Sequence, residues 1–173
     1  YVLSSAEASS NLARFDGVRC GFRAEGCREI GELYRESRSQ GFGAEVKRRI
    51  LLGSFVLSAG YYDAYYKKAL EVRTLVQRDF ARVFERIDFL LAPVAPTTAC
   101  RLGEKRNSPL EMYMGDVCTV PVNIAGLPAL SIPCGTGARG LPIGMQLIGR
   151  PFSEQLIYRA AYAYEQSEGG KQP

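Results

Sequence analysis

The composition of this chain is that of a globular protein without a dominant charge. Its 173 residues are 46% hydrophobic and 23% charged, and 22 basic residues against 18 acidic ones leave a net charge of +4. This length suits one domain with a real core, while the small, dispersed charge argues against a nucleic-acid surface and no apolar run approaches the roughly 20 residues that cross a bilayer.

The first part of the chain predicts one short strand followed by helices. The opening YVLSS is typical of an interior strand, and residues 7–17 (EASSNLARFDG) predict a brief helix. Residues 27–43 predict a second helix ended by glycines, and residues 44–58 predict a third, which stops at a hinge formed by Ala59 and Gly60.

A long amphipathic helix is predicted next, over residues 62–87. Its apolar positions step by threes and fours and form one stripe that should face the core: Tyr62, Tyr65, Ala69, Val72, Val76, Phe80, Val83 and Ile87. The tyrosines at its start could form a ligand platform, but packing in a core or interface is the favoured interpretation.

The second half of the chain alternates predicted strands and helices. DFLLAP, residues 88–93, is typical of a strand buried on both faces. SPLE, residues 108–111, is a capping box that should start a helix carrying Tyr113, Asp116 and Val117. Two Gly-Leu-Pro segments then precede apolar runs, and residues 151–166 predict a closing helix with Leu156, Ala160 and Ala163 facing inward. The alternation indicates the α/β class with a mixed sheet.

Gly135, Gly137 and Gly140 have the spacing G-x-G-x-x-G of dinucleotide-binding loops. Such a loop needs a helix after the glycines, because the free N–H groups of that helix hold the phosphates. Here Pro142 and an alternating strand pattern follow instead. The glycines are therefore interpreted as a turn between two strands, and we expect no nucleotide there.

The chemistry-bearing residues are few. Histidine is absent, which excludes Ser-His and Cys-His nucleophile pairs and most zinc sites, and neither S-x-x-K nor G-x-S-x-G occurs. Five cysteines without C-x-x-C spacing predict reduced intracellular thiols. The sequence begins with Tyr1 and its first methionine is Met112, so we expect it to be part of a longer protein.

Two charged residues are candidates for binding. Helical geometry places Arg49 on the apolar side of its helix, between Gly53 and Val56, whereas Arg48 points away. A guanidinium at the edge of a buried face needs an anion, either an internal carboxylate or the carboxylate of a ligand. Asp116 should flank the apolar face of its own helix, where it could cap, pair or bind an ammonium group.

Five longer stretches of the chain carry a resemblance to known proteins: EASSNLARFDG, GFGAEVKRRILLGSFVLSAGYYDAYYKKA, LLAPVAPTTA, DVCTVPVNIAGLPALSIPCG and GLPIGMQLIG. They resemble the amidase signature family, and within it the glutaminase subunits of tRNA-dependent amidotransferases. The resemblance implies an α/β/α sandwich around a mixed β-sheet. Residues 1–173 would be the C-terminal portion of a single amidase domain, with residues 167–173 as a disordered tail.

The resemblance also implies a division of roles along the complete polypeptide. A lysine and two serines that hydrolyse the side-chain amide of glutamine would lie in an N-terminal portion that this sequence lacks, so this chain alone is expected to be inactive. Its own contribution would be substrate binding: Arg49 would bind the α-carboxylate of glutamine and Asp116 its α-amino group.

The implied partners are the B and C subunits of the amidotransferase. The released ammonia would pass to the B subunit, which would use ATP and magnesium to activate the misacylated tRNA, while this chain would bind no cofactor or metal. A cytoplasmic complex without membrane contact is expected. Two alternatives stay open: a stand-alone amide hydrolase of the same family, and a non-catalytic fragment that only docks with partner subunits.

Overall fold

The computed structural model describes residues 1–102 and 113–167, and the chain divides into two compact units. The first unit comprises Tyr1–Val72 and the second Arg73–Pro173. The predicted single domain over residues 1–173 stays a prediction. The capping box at residues 108–111 and residues 168–173 of the predicted tail lie outside the described residues.

The first unit is helical. Helix α1 comprises Val2–Asn11 and continues into a 3-10 turn, Leu12–Arg14. Helix α2 comprises Ile30–Gly41, and α3 comprises Ala44–Val56, so the two later helical predictions are confirmed within a few residues.

The predicted opening strand is wrong, because the YVLSS segment lies in helix α1. Leu3 and Ala6, spaced by three residues, are both buried, which is the spacing of one helix face. A short apolar run does not distinguish a strand from a buried helix by its pattern alone. Packing against α3 buries this segment as a helix, since α1 and α3 pack along their lengths.

The segment after α1 is fixed by main-chain hydrogen bonds to side chains. Oδ1 of Asp16 accepts from the N–H groups of Val18 at 2.8 Å and Arg19 at 3.0 Å. These bonds lower the pKa of the Asp16 carboxyl below its ordinary value. Gly17 has φ 78° and lies against the buried Ser37 of α2, so a side chain at residue 17 would overlap Ser37.

The predicted amphipathic helix is real but differs in phase from the prediction. Tyr62–Lys67 form a π-helical segment, and α4 comprises Lys68–Phe84. The wider turn of a π-helix shifts every later residue relative to a uniform α-helical count. Within α4, Phe84 is buried and Phe80 packs against the same core cluster, while Val72 and Val83 of the predicted stripe are exposed.

The second unit contains a three-stranded antiparallel sheet. Strand β1 comprises Phe89–Pro93, β2 comprises Ala129–Thr136 and β3 comprises Pro142–Gly149, in the spatial order β1-β3-β2. The predicted strands are confirmed. Their pairing is antiparallel, so the mixed character expected of the sheet is not seen in the part of the chain that the structure describes.

The glycine-rich segment is the turn between β2 and β3, as predicted. Gly140 has φ 72° and its N–H donates to the carbonyl of Gly137 at 2.9 Å. Strand β3 starts at Pro142, two residues later. The three glycines are therefore not followed by the helix that phosphate binding requires.

Helices cover both faces of this sheet, which confirms the α/β class. Short helix α5 comprises Val120–Ala125 and α6 comprises Glu154–Gln166. Leu147 of β3 packs with Ile157 of α6, while the next residue, Ile148, packs with Phe84 of α4 and Val122 of α5. Successive residues of a strand point to opposite faces, so α6 lies on one face, and α4 and α5 lie on the other.

Two expectations about burial in this unit are wrong. Leu91 of β1 is 59% exposed, because β1 pairs with β3 alone among the described strands and α6 does not cover it. In α6 the buried residues are Ile157 and Ala161, whereas Leu156 and Ala160 are half-buried and Ala163 is exposed. The sequence predicted this helix correctly, but its predicted inward face is shifted by about one residue from the observed buried face.

Candidate functional site

Arg49 lies where helical geometry places it, on the partly buried side of α3. Its side chain is 35% exposed, compared with 60% for Arg48. One turn further along α3, Gly53 is buried against the main chain of Ser5 in α1. Arg49 is therefore held near the α1–α3 contact, whereas Arg48 faces solvent.

One carboxylate serves both arginines. Oε1 of Glu45 accepts from Nε of Arg49 at 3.2 Å, and Oε2 accepts from Nη1 of Arg48 at 3.1 Å. Nη1 of Arg49 also contacts Oγ of Ser4 at 3.4 Å. The internal carboxylate considered from the sequence is thus present, but it neutralises one of two positive charges.

Nη2 of Arg49 and the second N–H of Nη1 are consequently the parts available to a ligand. Among the described residues, Nη2 of Arg49 has no hydrogen-bond partner. Glu45 holds the Nε side of the guanidinium, which orients its opposite edge. Such a planar edge matches a carboxylate in bidentate fashion.

Asp116 lies in a turn and not on the helix face that the sequence predicted. Residues 113–115 are helical, residues 116–119 form a turn, and Asp116 is exposed. Its carbonyl accepts from N–H of Thr119 at 3.0 Å and from N–H of Val120 at 2.9 Å. Asp116 therefore stands at the start of α5, with its main chain fixed by that helix.

Gln146 of strand β3 is a feature that the sequence analysis missed. It is 4% exposed, and its Nε2 donates to the carbonyl of Cys118 at 2.8 Å and to the carbonyl of Pro93 at 2.9 Å. A polar residue between Met145 and Leu147 of a buried strand was the available signal, because buried amides need partners. The Asp116–Thr119 turn is thus attached to the middle of the sheet.

The other end of α5 is capped by α4. Nε of Arg73 donates to the carbonyl of Ile124 at 2.9 Å, and Nε2 of Gln77 donates to the carbonyl of Ala125 at 3.1 Å. The last carbonyls of a helix lack partners within it and carry partial negative charge. Arg73 and Gln77 satisfy them and fix the position of α5.

A cavity of about 340 Å³ lies beside the Asp116–Thr119 turn. Thr119, Asn123, Ser131 and Gln146 contribute polar groups to its lining. A second cavity, of about 330 Å³, shares Ser131 and Val94 with the first and includes Gly144. The two hollows adjoin along the sheet face that carries α5.

The two predicted binding residues belong to different units. Arg49 is in the first unit and Asp116 in the second, so their joint contribution to one site stays a prediction. Within the described ranges, His, Cys, Asp and Glu form no group of three that could hold a metal ion. The same ranges contain no helix that could cross a membrane.

Comparison with known proteins identifies a family and similar relatives. A family model described as Amidase matches residues 1–158. The A subunit of glutamyl-tRNA(Gln) amidotransferase from Brevibacillus brevis is 59% identical over 175 residues, which cover 100% of this chain and 36% of that protein. The corresponding protein of Moorella thermoacetica is 62% identical over 167 residues, covering 96% and 34% of the two chains.

A solved structure is similar as well. The crystal structure of the A subunit of glutamyl-tRNA(Gln) amidotransferase from Thermotoga maritima matches with a TM-score of 0.61 and 42% identity, over 83% of this chain and 32% of that one. The chain spans about a third of the length of the relatives that it matches.

Proposed function

The chain belongs to the amidase family, and we propose that it is the glutamine-binding portion of the A subunit of a tRNA-dependent amidotransferase. The observation that carries this proposal is the 59% identity, over the whole chain, with a subunit of that name. At such identity the side chains that line a site are usually retained together with the fold, which supports transfer of the substrate class.

The proposed reaction is the hydrolysis of glutamine to glutamate and ammonia. A serine, assisted by a second serine and a lysine in the polypeptide beyond this third of the protein, would attack the side-chain amide and release ammonia. Water would then release glutamate from the acyl-enzyme. The B subunit would use the ammonia, ATP and magnesium to amidate the misacylated tRNA, and the C subunit would stabilise the complex.

Arg49 would bind the α-carboxylate of glutamine. Its orientation by Glu45 and the open Nη edge support this role, because a bidentate pair needs a guanidinium whose plane is already set.

Asp116 would bind the α-ammonium group. Its exposed position at the start of α5, beside the 340 Å³ cavity that Thr119 lines, supports this role. A site that pairs both charged ends of a free amino acid distinguishes glutamine from a plain amide, since each missing charge would leave a site group unpaired.

The test is glutamine hydrolysis by an enzyme that joins this chain to the remaining two-thirds of a relative such as the Moorella protein. We expect glutamate release that increases when the B and C subunits are present. Hydrolysis of simple amides without glutaminase activity would instead favour the stand-alone hydrolase. Binding to the B and C subunits without any turnover would favour the docking fragment.

A further inference from the structure

We propose that Gln146 is a positioning residue, which sets the orientation of Asp116 toward the α-ammonium group of the substrate. This inference rests on the proposed function, because it concerns the same site. It assigns a role to a strand residue that need not touch glutamine itself.

Gln146 occupies the centre of the sheet. It pairs with Ala92 of β1 on one side and Ser131 of β2 on the other. Both neighbours are small, so the long side chain of Gln146 has room on the face that carries α5. There its amide reaches the carbonyls of Pro93 and Cys118.

The two N–H groups of Nε2 are both used. One donates to the end of β1 at Pro93 and the other to Cys118, two residues after Asp116. The orientation of the amide is fixed by its partners, since two carbonyl oxygens can only be matched by the NH₂ end. Nε2 of Gln146 therefore links the end of β1 to the Asp116–Thr119 turn.

The turn has little freedom left once these bonds are made. The carbonyl of Asp116 is held by the first N–H groups of α5, and α5 itself is capped by Arg73 and Gln77. The bond from Gln146 to Cys118 fixes the same turn from the sheet side. A site group is effective when neighbouring contacts hold it in the productive geometry.

The experiment compares glutamine with glutaramate, which is glutamine without its α-amino group. It uses the enzyme that joins this chain to the remainder of a relative, with Gln146→Glu and Gln146→Met. The first variant places an oxygen against two carbonyls, while the second keeps the length and volume without donors. Gln155→Leu, at an exposed position of α6, is the control.

We expect both Gln146 variants to lower kcat/KM for glutamine by about 10- to 100-fold, mainly through KM. This is the factor expected when the charge-assisted contact between Asp116 and the α-ammonium group is lost. Glutaramate, which has no ammonium group, should lose less than about 3-fold. Asp116→Asn should reduce the preference for glutamine over glutaramate as much as the Gln146 variants do. Adding Gln146→Met to Asp116→Asn should reduce that preference no further.

Different results would separate the two proposals. Equal losses for both substrates in both Gln146 variants, or losses additive with Asp116→Asn, would overturn the positioning role while leaving the proposed function intact. An unchanged preference in Asp116→Asn would overturn the binding role of Asp116, and the positioning role with it. If Gln146→Glu does not fold, Gln146→Met alone decides.

Discussion

Gly53 of α3 lies directly on the main chain of Ser5 in α1, and a Cβ atom at residue 53 would overlap the Ser5 carbonyl oxygen. The two helices thus meet backbone to backbone. Arg49 is one turn before this contact, so the closeness of the helices determines how deeply its guanidinium is placed. Next to it, Oγ of Ser9 and Oγ of Ser54 are 3.0 Å apart.

The first prediction concerns this contact. Gly53→Ala should lower the free energy of unfolding by about 1–3 kcal/mol, because the added methyl group must push α1 and α3 apart. Urea unfolding followed by circular dichroism measures the change. Gly31→Ala is the control: its Cβ meets nothing within 4 Å, and the substitution in helix α2 should be neutral or stabilising. Equal effects of the two substitutions would contradict the packing argument.

The second prediction concerns the pH dependence of the segment after α1. Because the N–H groups of Val18 and Arg19 stabilise the Asp16 carboxylate, its pKa is lowered in the folded protein. The contribution of this turn is therefore present above the ordinary pKa of an aspartate and is lost as the pH falls through the lowered value. An NMR titration should show the Val18 and Arg19 amide shifts following the Asp16 carboxyl. A pKa at or above the ordinary value would refute this account.

The third prediction concerns the cap on α5. Arg73→Ala should cost about 1.5–3 kcal/mol of stability, because it removes a hydrogen bond from a charged donor to the Ile124 carbonyl. Arg78→Ala, on the exposed side of the same helix, should cost less than about 0.5 kcal/mol. Chemical denaturation of both variants gives the comparison, and similar losses would show that the cap contributes nothing.

The fourth prediction concerns Phe152, which has φ 62° and is 96% exposed. A bulky side chain in the left-handed region is strained, whereas asparagine tolerates it. Phe152→Asn should therefore raise the free energy of unfolding, by up to about 1 kcal/mol, and Phe152→Val should lower it. Thermal unfolding distinguishes the two. A loss of stability in both variants would mean that the aromatic ring has contacts that offset its strain.

The sequence predicts those elements whose signal is local. Strand β1 was recognisable because DFLLAP is short, apolar and closed by proline, and the turn at Gly140 was recognisable because proline and a strand pattern follow it. The half-buried placement of Arg49 followed from helical periodicity alone.

The remaining features depend on contacts between distant segments. The first half of α1 was mistaken for a strand, although a helix was predicted from residue 7 onward, because this segment is buried by packing against α3 at Gly53, about fifty residues away. The face that α4 buries was set one residue off at Phe84, because Phe84 packs against Val122 and Ile148, which are distant in the sequence. The π-helical segment before α4 was likewise not predicted. The role of Gln146 required the positions of Pro93 and Cys118, which only the folded sheet brings together.

The most direct test of the proposed glutamine site is the KM for glutamine of Arg49→Ala, with Arg48→Ala as a matched control. Both arginines pair with Glu45, but Arg49 alone lies on the partly buried side. In the enzyme that joins this chain to the remainder of a relative, Arg49→Ala should raise KM by about 10- to 100-fold, as expected for a lost charged contact. Arg48→Ala should change KM by less than about 2-fold. An unchanged KM in Arg49→Ala, or equal increases in the two variants, would contradict the assignment of Arg49 to the α-carboxylate.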